Sequence, residues 1–115
     1  MKVLAVVPRV YVSDVNSNLD FYKELLKAEP KGIMQVKTME IARFDQIVMI
    51  AGADTNSIRV TASIVVDSLE EAKNFVTQSG GEVLVGPATV PSGNMMIARH
   101  PDGNVFEYLQ PISRS

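Results

Sequence analysis

No cysteine occurs among the 115 residues. That excludes disulfide frameworks, thiolate nucleophiles and Cys-based metal sites, and it suits a reducing compartment. There is one histidine, His100, placed by the residues around it at the mouth of a turn, where it is expected to be solvated. A Ser–His–Asp arrangement therefore has no footing. No run of basic residues appears and the net charge is -2, so no nucleic-acid footprint is present. No apolar run reaches membrane length. Val3 to Val7 is an apolar run near the start, but Pro8 and Arg9 end it too early for a span or a signal h-region, and it reads as a buried strand. A cytoplasmic protein with no nucleic-acid or membrane partner is expected. A phosphate loop is also missing, because Ser79-Gly80-Gly81-Glu82 lacks the lysine and the spacing.

Hydrophobic residues make up 46% of the chain, enough for a core in one domain of this length. The chain contains an internal repeat. Val7 to Val15 and Thr61 to Leu69 are both extended, β-branched runs ending in a Ser/Asp cap that opens a helix. Asp14 or Ser13 caps the first helix, which carries Val15, Leu19, Phe21, Tyr22, Leu25 and Leu26. Asp67 or Ser68 caps the second, with Leu69, Ala72, Phe75 and Val76. Spacings of three and four are helical, and short polar side chains satisfy the free N–H groups of a first turn. Phe21 and Phe75 occupy matching places. Asp67, Glu70 and Glu71 read as a complement to the helix dipole and a solvated face.

Breakers close the helices, Pro30 and Gly32 in the first half and Gly80-Gly81 in the second. Strands are predicted over Gly32–Lys37, Met39–Phe44, Gln46–Ala51, Glu82–Ala88, Asn94–His100 and Val105–Gln110. Phe44-Asp45-Gln46 and Pro101-Asp102-Gly103-Asn104 are turns. Thr89–Gly93 is a loop candidate and Ser113–Ser115 a frayed tail. The order is βαβββ twice: repeat one over 1–52, a linker at about 53–57, repeat two over 58–112. Eight strands with two helices cannot make a doubly wound parallel sheet. The fold class is α+β, a curled mixed sheet around a trough with the helices on its outer face.

Two motifs carry a resemblance. Val10-Tyr11-Val12-Ser13-Asp14 with Leu19-Asp20-Phe21-Tyr22 resembles the first strand and helix of the glyoxalase/bleomycin-resistance/extradiol-dioxygenase superfamily, the vicinal oxygen chelate fold. His100-Pro101-Asp102-Gly103-Asn104-Val105-Phe106-Glu107-Tyr108 resembles its terminal hairpin. With the duplicated order, the resemblance spans essentially the whole chain. By strand alternation Val7, Arg9 and Tyr11 face the trough, with Thr61, Ser63 and Val65, and with Val105, Glu107 and Leu109. Ile64, Val66, Phe106 and Tyr108 point to the helices.

Metal-dependent members of that superfamily hold a divalent cation with His on the first strand and Glu on the last strand of each half. Those four places fall here on Val7, Met49, Thr61 and Glu107. Valine and methionine offer no useful donor to such a cation and threonine is a poor one, whereas catalytic sites normally use three protein ligands. No cofactor is expected; a divalent metal is the alternative. Glu107 is the candidate catalytic residue, since a carboxylate on an apolar floor loses hydration and gains basicity. It equally suits a pairing with Arg9. Arg9 and Tyr11 could bind an anionic or aromatic ligand, or snorkel and pack instead. Methionines, Met49 and Met96 among them, suit a pliable ligand surface as well as a core.

The resulting expectation is a small-molecule binding protein, holding an apolar or aromatic ligand without metal against Val7, Arg9, Tyr11, Met49, Thr61, Ser63, Met96 and Glu107. The resemblance implies a homodimer. The alternative is a lyase, isomerase or dioxygenase of the superfamily acting through Glu107.

Overall fold

The computed structural model describes residues 1–52 and 59–112. The expected linker at 53–57 and the expected tail at Ser113–Ser115 lie outside those residues. The element order is β1 (Val3–Val12), α1 (Val15–Leu26), β2 (Gly32–Val36), β3 (Met39–Arg43), β4 (Val48–Ala51), β5 (Ala62–Val66), α2 (Leu69–Gln78), β6 (Glu82–Val90), β7 (Gly93–Arg99) and β8 (Val105–Pro111). This is βαβββ twice, an α+β fold with a mixed eight-stranded sheet.

The chain divides into two units. One holds residues 7–52, the other Met1–Val6 with residues 59–112. In the first, the strand order is β2-β3-β4-β1, with β4 parallel to β1 and the other pairs antiparallel. In the second it is β5-β8-β7-β6, with β5 parallel to β8. β1 is long enough to serve both units. Its start is tied to α2: the Lys2 amide donates to Asp67 Oδ1 at 2.7 Å, the Asp67 amide donates to the Lys2 carbonyl, and the Met1 amine meets Glu71 at 2.7 Å. The acidic cluster at the head of α2 therefore holds β1 as well as complementing the helix dipole.

Each helix starts where a side chain caps it. Asp14 accepts from the Ser17 amide at 2.8 Å, and Ser68 Oγ accepts from the Glu71 amide at 3.2 Å. Gln110 adds a second cap that the sequence did not reveal: its Oε1 accepts from the Leu69 amide at 2.8 Å. α1 ends at Lys27 in the left-handed region, φ 53, with its amide reaching back to the Glu24 carbonyl, three residues before the expected Pro30. Along α1, Val15, Leu19, Tyr22 and Leu26 meet Ala42, Phe44, Met49 and Ala51. Along α2, Leu69, Ala72 and Val76 meet Val66, Met96, Ala98 and Tyr108, with Ile64 and Phe106 packed alongside. Both are stripes at helical spacing against a period-2 strand face.

Four expectations are corrected. Phe21 and Phe75 fall off these stripes and are 66% and 59% exposed. Val3 to Val7 is a strand, but Val3, Leu4 and Val6 are exposed rather than buried. Thr89 and Val90 extend β6 and Gly93 opens β7, so the expected loop shrinks to the turn at Pro91 and Ser92. His100 is not a solvated turn residue. Its ring stacks on Phe106 with centroids 4.4 Å apart, and its Nε2 lies 2.6 Å from the Tyr108 hydroxyl. Burial pushes the Tyr108 phenol above the usual tyrosine range, because a buried phenolate loses hydration.

Candidate functional site

Of the residues expected to form a site, Val7, Arg9, Tyr11, Ser63 and Glu107 lie on the sheet faces turned away from the helices, Thr61 immediately precedes β5, and Met49 and Met96 lie on the other face. In the second unit Ser63 pairs in register with Glu107 and Val65 with Leu109, while Ile97 and Met95 pair with Glu107 and Leu109 from the other side. Register partners share a face, so one face carries Ser63, Val65, Met95, Ile97, Glu107 and Leu109. Ser63, only 7% exposed, donates its hydroxyl to Glu107 Oε1 at 2.8 Å. Thr61 is exposed and its amide donates to the Val105 carbonyl. At the end of the strand Arg99 is exposed and paired with Glu82 at 2.9 Å. One half-buried carboxylate and one hydroxyl thus stand among aliphatic and thioether side chains.

In the first unit Arg9 pairs with Val48 and Tyr11 with Ile50, and across β3 Arg43 pairs with Val48 and Ile41 with Ile50. Val7, Arg9 and Tyr11 are half-buried and share a face by alternation. The face away from α1 therefore carries Arg9, Tyr11, Ile41, Arg43, Val48 and Ile50.

Met49 and Met96 are the exceptions. Met49 partners Val10 and Ala42, and Met96 partners Tyr108; both are 0% exposed in the helix-side cores. Neither reaches the face on which it was expected. The physical reason is register. A shift of one residue moves a side chain through the sheet, and apolar residues on both faces hide the shift in sequence. The second hairpin is also longer: Glu107 is the third residue of β8, whereas Val48 is the first of β4. Caps Asp14 and Ser68 align the repeats so that Arg9 matches Ser63, and the parallel register then matches Val48 with Glu107. Arg43, Val48, Met95 and Ile97 were not singled out as facing residues. The turn lengths contained the signal, but only the ladder fixes it.

The four places at which the superfamily's metal-dependent members hold a cation thus fall on Val7, Val48, Thr61 and Glu107. Two of these are hydrocarbon and one a neutral hydroxyl, so the residues do not fit a divalent cation there. Among the described residues, no three of His, Asp and Glu gather as a metal-binding group. No helix among the described residues is long and apolar enough to cross a membrane.

A family model, Glyoxalase/Bleomycin resistance protein/Dioxygenase superfamily, matches residues 3–108. Among solved structures, an uncharacterized protein from Methanosarcina mazei is similar at 36% identity and a TM-score of 0.84, over 100% of this chain and 98% of that one. Methylmalonyl-CoA epimerase from Mycobacterium tuberculosis shares the fold at 14% identity and a TM-score of 0.77, over 96% and 90%. Methylmalonyl-CoA epimerase from Streptomyces coelicolor does so at 11% identity and a TM-score of 0.75, over 97% and 100%. No curated protein matches.

Proposed function

Because the chain belongs to the Glyoxalase/Bleomycin resistance protein/Dioxygenase superfamily, we propose that it is a metal-independent binding protein for a small apolar or aromatic molecule. The observation that carries this reading is the row Ser63–Glu107–Ile97 of one repeat and the corresponding row Arg9–Val48–Arg43 of the other. The repeats supply one carboxylate where a metal site needs acids in both, and the neighbours Val65, Met95, Leu109, Ile41 and Ile50 offer apolar contact. Apolar lining with a few placed polar groups is the usual make-up of a small-molecule site. The proposed contacts are Val7, Arg9 and Tyr11 in the first unit and Thr61, Ser63 and Glu107 in the second. The absence of cysteine supports a cytoplasmic setting, and the exposed Val3, Leu4 and Val6 on β1 support a homodimer that covers them. Thermal-shift and calorimetric titration with aromatic compounds tests the binding. Saturable binding weakened by Glu107→Gln is expected; no binding across a broad aromatic panel would refute it. Light scattering that gives a monomer at micromolar concentration would refute the dimer.

One observation favours a second reading, an enzyme of lyase, isomerase or dioxygenase type. Ser63 holds the half-buried Glu107 by a 2.8 Å hydrogen bond, which fixes one carboxylate oxygen. Two measurements separate the readings: elemental analysis of purified protein, and turnover of the methylglyoxal–glutathione adduct. Turnover lost in Glu107→Gln would establish the enzyme. Inertness with retained aromatic binding supports the binder.

A further inference from the structure

We propose that Arg43 is an anion anchor, so that the ligand of the reading above, on which this inference rests, carries a carboxylate. Four observations lead there. Arg43 is half-buried on the face away from α1. Among the described residues its guanidinium has neither an ion pair nor a side-chain hydrogen bond; the nearest acidic turn residue, Asp45, is taken by Lys31 at 3.2 Å. Its register neighbour Val48 offers no acceptor, and beyond Val48 stands a second arginine, Arg9. On its other side the register partner is Gly32, where an added Cβ would meet nothing within 4 Å.

Each point narrows the chemistry. A guanidinium presents five donors in a planar fork and no acceptor. Holding it half out of water is unfavourable unless an acceptor completes it. A carboxylate matches that fork with two parallel hydrogen bonds. The missing side chain at Gly32 leaves room for a ligand group beside Arg43, and Ile41, Val48 and Ile50 give its hydrocarbon body an apolar surface. In the second repeat the equivalent of Arg43 is Ile97, facing Glu107. The two repeats thus carry opposite charge on corresponding rows, and the basic row belongs to the first.

The test uses naphthoate and its neutral methyl ester, titrated calorimetrically into the full chain. Naphthoate is expected to bind about tenfold or more tightly than the ester, the usual effect of a charge-assisted hydrogen bond. The preference should shrink with added salt. Arg43→Gln should reduce it to near unity while leaving ester binding within about twofold, and Arg43→Lys should keep part of it. Gly32→Leu, which fills the space beside the guanidinium without touching the charge, should also lower naphthoate binding. Equal binding of acid and ester to the unmodified protein overturns the anchor and leaves the binding function standing. A preference that persists in Arg43→Gln also overturns it, and assigns the anion to another cation. If neither compound binds, the proposed function and this inference fall together.

Discussion

Replacing Met49 by glutamate puts a carboxylate into the closed core beneath α1. Met49 is 0% exposed and sits among Val15, Ala42, Phe44 and Ala51, none of which can receive a charge. An uncompensated buried charge costs about 3–5 kcal/mol, and losing the thioether's burial adds about 2 kcal/mol. That is a large share of the roughly 5–15 kcal/mol that holds a domain together. At about 4 °C per kcal/mol for a chain of this size, the melting temperature should fall by roughly 20 °C, or the protein should fail to fold. The same glutamate one residue earlier, at Val48, meets different surroundings. Val48 is half-buried and lies in register between Arg9 and Arg43. Val48→Glu should change stability by no more than about 1 kcal/mol. Guanidinium melts of the two variants followed by circular dichroism measure the difference directly. Equal losses, or a greater loss at Val48, would refute the register and with it the reading of Val48 as the counterpart of Glu107.

Gly93→Ala should destabilise strongly, because the added Cβ would sit 2.1 Å from the Gln110 carbonyl at a φ of +147, whereas Gly32→Ala meets open space and should melt like the parent. Hydrogen bonds from the Ser17 hydroxyl and amide hold the Asp14 carboxyl below the usual aspartate range; its stabilising contribution is present above that range and lost as pH falls through the depressed folded value. Asp14→Asn, which keeps a capping oxygen, should therefore remove part of the acid sensitivity in a pH titration of helicity and leave neutral-pH stability close to the parent's. Of the three tyrosines, Tyr108 should ionise later than the usual range in an alkaline absorbance titration, its burial being the cause. Tyr108→Phe should delete that late step and cost about 1 kcal/mol for the lost His100 contact.

Much of this fold was legible because its determinants are local. Asp14 and Ser68 cap helices through atoms three residues away, and the turn at Pro101 to Asn104 closes through the His100 and Asn104 backbones. The order βαβββ twice follows from such signals, as does the face assignment of β5 and β8, where Ser63 and Glu107 contrast with Ile64 and Tyr108. β4 had no such contrast. Val48, Met49, Ile50 and Ala51 are all apolar, so nothing in their order says which two face α1, and the candidate site in the first repeat was displaced by one residue.

The sequence by itself determined the duplicated unit, its caps and turns, and the scarcity of metal donors, because these depend on residue type and short spacing. Only the tertiary structure decided which side of the sheet Met49 and Met96 occupy, that the start of β1 joins the second unit through Asp67 and Glu71, that His100 stacks on Phe106, and that Arg43 stands across Val48 from Arg9. These depend on pairings between residues far apart in the chain, which ladder register sets, and a period-2 pattern with two apolar faces leaves that register undetermined.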